Sequence, residues 1–345
     1  MKKIISLVLA LCLALTLTVG PVYASSSDLS SAQQTVQALG IITGDENGNL
    51  NLSANVTRAQ FAKMMIAAST YKDSISSTAK SSPFKDVKYT HWAASYVQAA
   101  VSAGWITGYT DGTFRPDNYV KLEEAVSAVL KMLGYTSSSD FTGSFPEAQL
   151  AKYSALGLNE SITKTKGQTL SREDCMYLFY NLLSTKNKSG SYYATILGYT
   201  VNSSGEVDYS SLVLANTNGP FIAEDSSWSS SLPFTTGSST VYRNGSVSSV
   251  SAISTNDVYY YNTGMKSIWV YSNRVTGVYT AASPSTAAPS SVTVAGTIYR
   301  VTTAFASYAL SDVGSYGIGD TVTLLLGMNG DVVGVAASTE TSSTK

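Results

Sequence analysis

Two four-residue segments combine a helix-capping pair with an arginine. Thr57-Arg58-Ala59-Gln60 and Ser171-Arg172-Glu173-Asp174 each set a hydroxyl three residues ahead of an amide or acid. That is capping-box spacing, with Thr57 or Ser171 at the N-cap and Gln60 or Asp174 at N3. Arg58 and Arg172 then fall in the first helical turn, where a cation opposes the macrodipole. A helix start serving structure alone favours an acid there. Helix N-terminus and guanidinium together read as a receiver for an anion such as a carboxylate. The alternative is two surface arginines that reach solvent or a neighbouring acid.

Few other residues suit chemistry. His91 is the only histidine, which removes histidine-rich metal sites and argues against a Ser-His-Asp hydrolase. It reads as an exposed first-turn residue. Cys175 lies in an apolar pattern with Leu178, Phe179, Leu182 and Leu183 and reads as a core thiol. Asp45-x-Asn47-x-Asn49-x-Asn51 resembles a calcium loop but carries Leu50 at the glycine position and Val56 at the final glutamate position, so it reads as a turn. Glu224-Asp225 is the only adjacent acidic pair after residue 186, where a glycosidase needs two carboxylates across a cleft. No catalytic residue, metal or cofactor is therefore expected. The formal charge is −1, without a basic stripe, which argues against nucleic acid as a partner.

Lys2 and Lys3 precede an apolar run over 4–19, then Gly20, Pro21 and Val22-Tyr23-Ala24. This reads as a secretory signal cleaved after Ala24. The run falls short of the about 20 residues of a spanning helix, so no membrane association is expected after cleavage. Cys175 is then the only cysteine left, and no intramolecular disulfide can form.

The elements that must position the arginines repeat. Gly40-Ile41-Ile42-Thr43-Gly44 matches Gly104-Trp105-Ile106-Thr107-Gly108, and the same offset pairs Thr57–Gln60 with Lys121-Leu122-Glu123-Glu124. A weaker third copy aligns Leu156-Gly157-Leu158 with Leu39-Gly40-Ile41, and Ser171–Asp174 with Thr57–Gln60. Each copy reads as helix, glycine-rich loop, helix. In copy two, Thr90 is the expected N-cap of a helix over 91–103, with Gly104 as its C′ stop. The next helix carries Leu122, Val126, Val129, Leu130 and Leu133 on one stripe. One hairpin cannot bury such a stripe, but three can bury theirs against one another. Copy two departs at the key turn: Leu122 replaces the arginine and Lys121 the capping hydroxyl. Three grooves of unequal quality are expected.

Phe84-x-Asp86-Val87, His91-Trp92-Ala93, and Gly108-Tyr109-x-Asp111-Gly112-Thr113-Phe114-Arg115-Pro116 resemble the S-layer homology family, over about residues 28–185. The resemblance implies three tandem modules in a spindle-like bundle. It also implies non-covalent attachment to secondary cell-wall polysaccharide, often pyruvylated, at a bacterial surface. Carried onto this chain, the polysaccharide-binding residues are Arg58, Gln60, Asp86, Trp92, Gly108, Tyr109, Lys121 and Arg172. Trp92, near its helix start, would stack on a sugar face, while Trp105 reads as core or groove floor. Asp86 would accept sugar hydroxyls or cap the following helix.

After residue 186 the composition turns to Ser, Thr, Gly, Val and Tyr with strand-like alternation, across an expected linker over 184–190. Expected strands are 258–261, 267–271, 275–279, 291–294, 298–301, 321–326 and 332–336. Asn-Gly pairs at 218–219, 244–245 and 329–330 are expected hairpin turns. The expected fold is α+β multidomain. A pseudo-threefold all-α bundle has repeats over 25–80, 81–136 and 137–185. An antiparallel all-β barrel or sandwich follows over 186–336, with a frayed tail over 337–345. The β half would contact other surface proteins or itself. The competing expectation is a wall-anchored carbohydrate-active enzyme or adhesin with its activity in the β half.

Overall fold

The computed structural model describes residues 31–45, 47–76 and 78–337. The expected signal segment 1–24 and the tail from 338 onward lie outside the described residues. Three helix–loop–helix repeats form the hairpins that come first, α1 Ser31–Ala38 to α2 Arg58–Ala67, α3 Ala94–Ser102 to α4 Leu122–Met132, and α5 Glu147–Ala155 to α6 Arg172–Leu183, and their helices pack across repeats, α2 on α3, α4 on α5 and α6 on α1. The first helix of each ends the same way. Gly40, Gly104 and Gly157 follow the three helices at φ between +72° and +76°, conformations that glycine adopts without a Cβ penalty.

The second helices start where the sequence places them. Thr57 and Gln60 form a reciprocal capping box on α2, and Ser171 and Asp174 form one on α6. Helix α3 differs from expectation. It begins at Ala94 behind an Ala93 N-cap with no side-chain cap, because Thr90–Ala93 make a tight turn in which the Ala94 N–H donates to the His91 carbonyl.

The segments entering α2, α4 and α6 meet in a closed ring of backbone hydrogen bonds. Val56 N–H donates to Leu170 C=O (2.9 Å), Leu170 N–H to Val120 C=O (3.0 Å), and Val120 N–H to Val56 C=O (2.9 Å). Around it Phe61, Val126, Val129, Leu178 and Phe179 are all buried, with the Phe61 and Phe179 rings 5.5 Å apart. Burying such side chains contributes about 1.5–3 kcal/mol each.

The 184–190 segment is an ordered turn instead of a linker. The Asn187 carboxamide oxygen accepts from the Ser189 and Ser191 N–H groups, and the buried Tyr193 hydroxyl donates to Ala68 C=O at 3.0 Å. Short helices α7 Tyr193–Ile196 and α8 Tyr209–Ala215 then extend the helical core. The second half is therefore not all-β. One or two turns of helix are too short to show a 3.6-residue period in the sequence.

Two five-stranded sheets follow. The strands are β1 Asn218–Ile222, β2 Thr240–Arg243, β3 Ser246–Ser248, β4 Val258–Asn262, β5 Ser267–Tyr271, β6 Arg274–Ser283, β7 Ser291–Val294, β8 Thr297–Arg300, β9 Thr321–Leu326 and β10 Val332–Ala337, with helix α9 Ala304–Ala309 between β8 and β9. The orders are β1-β4-β5-β2-β3 and β10-β9-β6-β7-β8. Neither sheet closes into a barrel, and β2 runs parallel to β5, so the expected antiparallel barrel is corrected on both counts. Asn244-Gly245 and Asn329-Gly330 turn the β2–β3 and β9–β10 hairpins, whereas Asn218-Gly219 opens a strand.

The first sheet sits directly on the first hairpin. A Cβ on Gly264, in the β4–β5 turn, would lie 1.9 Å from the Gln37 carbonyl oxygen of α1. The Asn262 amide donates to Ala38 C=O (3.0 Å), and Trp269 and Tyr271 belong to the same buried cluster as Val36.

Candidate functional site

Each second helix brings its first turn against the glycine-rich loop of a neighbouring hairpin. Three junctions result, and they differ chemically.

At the first, Arg58 is buried, with its side chain only 4% exposed. Nε donates to Phe114 C=O and Nη2 to Thr107 C=O, both at 2.9 Å, while Nη1 pairs with Glu124 Oε1 at 2.9 Å. The Tyr109 hydroxyl donates to the same Glu124 oxygen at 3.2 Å. Its ring lies between two guanidinium groups, Arg58 at 4.9 Å and Arg115 at 3.8 Å from the centroid. Burial pushes the Tyr109 hydroxyl pKa up, against the pull of Arg58. Arg58 therefore works as an internal clamp whose charge Glu124 neutralises. The anion-receiving geometry read from the sequence is not the one it adopts.

Asp86 and Gly108 shape the loop that Arg58 grips. The Asp86 carboxylate accepts from the Phe114 and Arg115 N–H groups, both at 2.8 Å. Burial pulls its pKa up, but these two backbone donors outweigh it and hold the carboxyl below its usual range. Asp86 thus caps this loop rather than α3. A Cβ on Gly108 would lie 2.1 Å from the Phe84 ring, which packs at a tilt against Phe114. Asp111, on the surface, is held down to about 2 by the Thr113 hydroxyl and N–H and by Arg115.

At the second junction Arg172 repeats the grip without the acid. Its Nε donates to Leu50 C=O (2.6 Å) and Nη2 to Thr43 C=O (2.9 Å), the repeat equivalents of Phe114 and Thr107. No carboxylate among the described residues pairs with it, and half-burial pushes its pKa down. Gln60 stands where Glu124 stands one repeat on. Its oxygen accepts from the Thr57 N–H (2.9 Å), and a neutral amide brings no charge to neutralise a guanidinium.

At the third junction Leu122 supplies no cation. Lys121 is exposed, and its backbone N–H donates to Glu124 Oε2 at 3.0 Å. Trp92 is 55% exposed and stacks on His91 at 5.7 Å, while Trp105 is half-buried against Tyr71. Trp92 thus leaves much of its ring exposed, and Trp105 does not. The structure gathers Arg58, Tyr109, Gly108 and Asp86 at one junction, whereas Arg172 grips Leu50 and Thr43 and Gln60 caps α2 through Thr57. Glu124 was missed from sequence. Its offset from Gln60 was the available signal.

Elsewhere Cys175 is fully buried and its thiol pKa is pushed up by desolvation. Asp225 accepts from the N–H and hydroxyl of Ser227 in an exposed turn. Asp45 accepts from the Asn47 and Asn49 N–H groups (both 2.9 Å), which is turn chemistry.

Residues 34–62 and 83–126 match the family model of the S-layer homology domain. The chain is 31% identical over 195 residues to the middle cell wall protein of Brevibacillus brevis, covering 53% of this chain and 18% of that protein. It is 30% identical over 178 residues to a surface layer protein of Brevibacillus choshinensis, covering 49% and 16%. It is also 33% identical over 109 residues to an endoglucanase of a Bacillus species, covering 32% and 11%. The chain spans less than a fifth of the length of these curated relatives. The matched segments span the first helical repeat and most of the second, and there the chain is similar to the S-layer homology domain.

Proposed function

We propose that the chain is a bacterial cell-surface protein held non-covalently to secondary cell-wall polysaccharide by its helical hairpins. The three hairpins act as one pseudo-threefold bundle, a reading supported by the closed Val56–Leu170–Val120 ring. The β-rich half is displayed outward, toward other surface proteins or further copies. The chain is not an enzyme in this reading. Its acids in the β half sit in turns and in arginine pairs such as Arg300–Asp331.

The observation that carries the anchoring reading is the asymmetry between junctions. Arg172 holds its guanidinium in place with neutral carbonyls, so its charge stays available to an acidic sugar. Trp92 and Lys121 are exposed at other points of the bundle as an apolar ring and a second cation and Gln60 adds a donor, while Arg58, Asp86, Gly108 and Tyr109 hold the first loop in shape. The test is sedimentation of the protein with purified sacculi, before and after acid extraction of the polysaccharide. Extraction should abolish binding. Arg172→Gln should weaken it roughly tenfold, the loss of one charge-assisted hydrogen bond. Binding that survives extraction unchanged would overturn the proposal.

A further inference from the structure

One recess among the described residues belongs to none of the three junctions. It is a cleft of about 380 Å³ where the first hairpin meets the first β-sheet, walled by α1, α2 and the α8–β1 connection. A second recess of about 200 Å³ shares Lys72 and Asp73 with it. Recesses at such a meeting of two architectures are common ligand sites.

Its chemistry is that of an acceptor for an acidic, hydroxyl-rich molecule. Lys72 Nζ is fixed by two neutral acceptors, Asn216 Oδ1 (2.5 Å) and the Tyr199 hydroxyl (3.3 Å), so it is placed while keeping its charge. Asn216 is braced in turn by donating to Leu212 C=O at 2.7 Å. Lys63, from α2, lines the same cleft and has no hydrogen-bond or ion-pair partner among the described residues. Asp73 is the only acid in the lining, against the two lysines. Tyr96 contributes an aromatic ring and Asn218 an amide. Ammonium groups, an amide and a ring are the set that recognises a carboxylate on a sugar.

We infer that this cleft is a second binding site, for a carboxylate-bearing saccharide, distinct from the inter-repeat junctions. It rests on the wall-anchoring reading only for where such a saccharide would come from.

The test is calorimetric titration of the full chain carrying Arg172→Gln, so that the second junction is silenced. The probes are methyl β-D-glucuronide, methyl β-D-glucoside and acetate. The glucuronide should bind and the other two should bind roughly tenfold more weakly, since each lacks one recognised half. Adding Lys63→Gln should cut glucuronide affinity by about the same factor, and Lys63→Arg should retain it. Lys63 makes no hydrogen bond or ion pair among the described residues, so a nearly unchanged melting temperature accompanies both. Equal glucuronide affinity with and without Lys63→Gln overturns the inference, as does no binding in any arm. Acetate binding as tightly as the glucuronide overturns the saccharide assignment. Sacculus binding by the parent chain reports on the anchoring reading alone: its loss with Lys63-dependent glucuronide binding intact leaves the cleft standing.

Discussion

Arg58 and Arg172 occupy equivalent positions in two repeats and grip equivalent carbonyls, yet they end in different electrostatic states. Arg58 finds Glu124; Arg172 finds no described acid, because the corresponding N3 residue one repeat away is Gln60. Repetition has copied the backbone geometry, while one side chain contributed by the adjacent hairpin decides whether the cation is spent or kept. A repeat motif therefore specifies where a guanidinium sits, and its neighbour specifies what that guanidinium is for.

The sharpest way to break this contrast is to delete each arginine. Arg58→Ala leaves two carbonyls without their donor and Glu124 without its cation, and breaking a largely buried ion pair from one side costs roughly 3 kcal/mol. Arg172→Ala strands only carbonyls, for about 1–2 kcal/mol. Urea unfolding monitored by far-UV dichroism checks both. Equal losses would mean that Glu124 does not distinguish the junctions.

The two loops being gripped differ as well. A Cβ on Gly44 would lie 2.7 Å from the backbone carbon of Gly48, whereas a Cβ on Gly108 would meet the side-chain ring of Phe84. A ring can shift, and a backbone shifts less readily. Overpacking of this kind costs about 1–3 kcal/mol, with Gly44→Ala at the upper end and Gly108→Ala at the lower. Because Thr43 and Leu50 hold Arg172, Gly44→Ala should also weaken sacculus binding, and Gly108→Ala should not.

Much of this arrangement was legible in the chain, for identifiable reasons. Capping boxes are local, so Thr57–Gln60 and Ser171–Asp174 announced α2 and α6 without any tertiary information. Strands β5, β7 and β9 carry a two-residue alternation or a β-branched run bounded by turn residues, and they lie where that pattern placed them. What stayed hidden depends on distant partners. Nothing near Arg58 in sequence reveals Glu124, 66 residues away. The parallel pairing of β2 with β5 leaves no local trace, and α7 and α8 are too brief to display a period. The 184–190 segment has linker composition, yet Tyr193 just beyond it is tied to Ala68. Turn residues mark where a chain bends, not whether a core ends there.

Gln60→Glu converts the second junction toward the first. Glutamate preserves the capping box, so α2 should hold. The added carboxylate would supply Arg172 with the acid it lacks and repel an acidic sugar. Sacculus binding should fall roughly tenfold while the unfolding midpoint stays level or rises, about the worth of one charge-assisted contact. Unchanged binding would show that Gln60 does not face Arg172, and the contrast between junctions would rest on Glu124 alone.

The smallest expected effect is on acid stability. At the first junction the loop is braced from outside by Asp86, whose carboxyl is held below its ordinary 3.8 by the Phe114 and Arg115 N–H groups. At the second, the loop carries its own brace in Asp45, lowered chiefly by the Asn49 N–H. A carboxyl lowered on folding stabilises fully above its unfolded value and loses that contribution as pH falls through the folded one. Both loops should therefore loosen as pH falls below the ordinary carboxyl value of 3.8. Asp86→Asn removes one titrating brace and leaves the other, so its urea midpoint should fall less steeply with acid than the parent's. A parallel decline in both proteins would place the acid sensitivity in Asp45 and make the external brace dispensable. Because Asp86 is solvent-exposed, the difference in slope should be modest and should shrink further in salt, which screens exposed charges over roughly 8 Å at physiological strength.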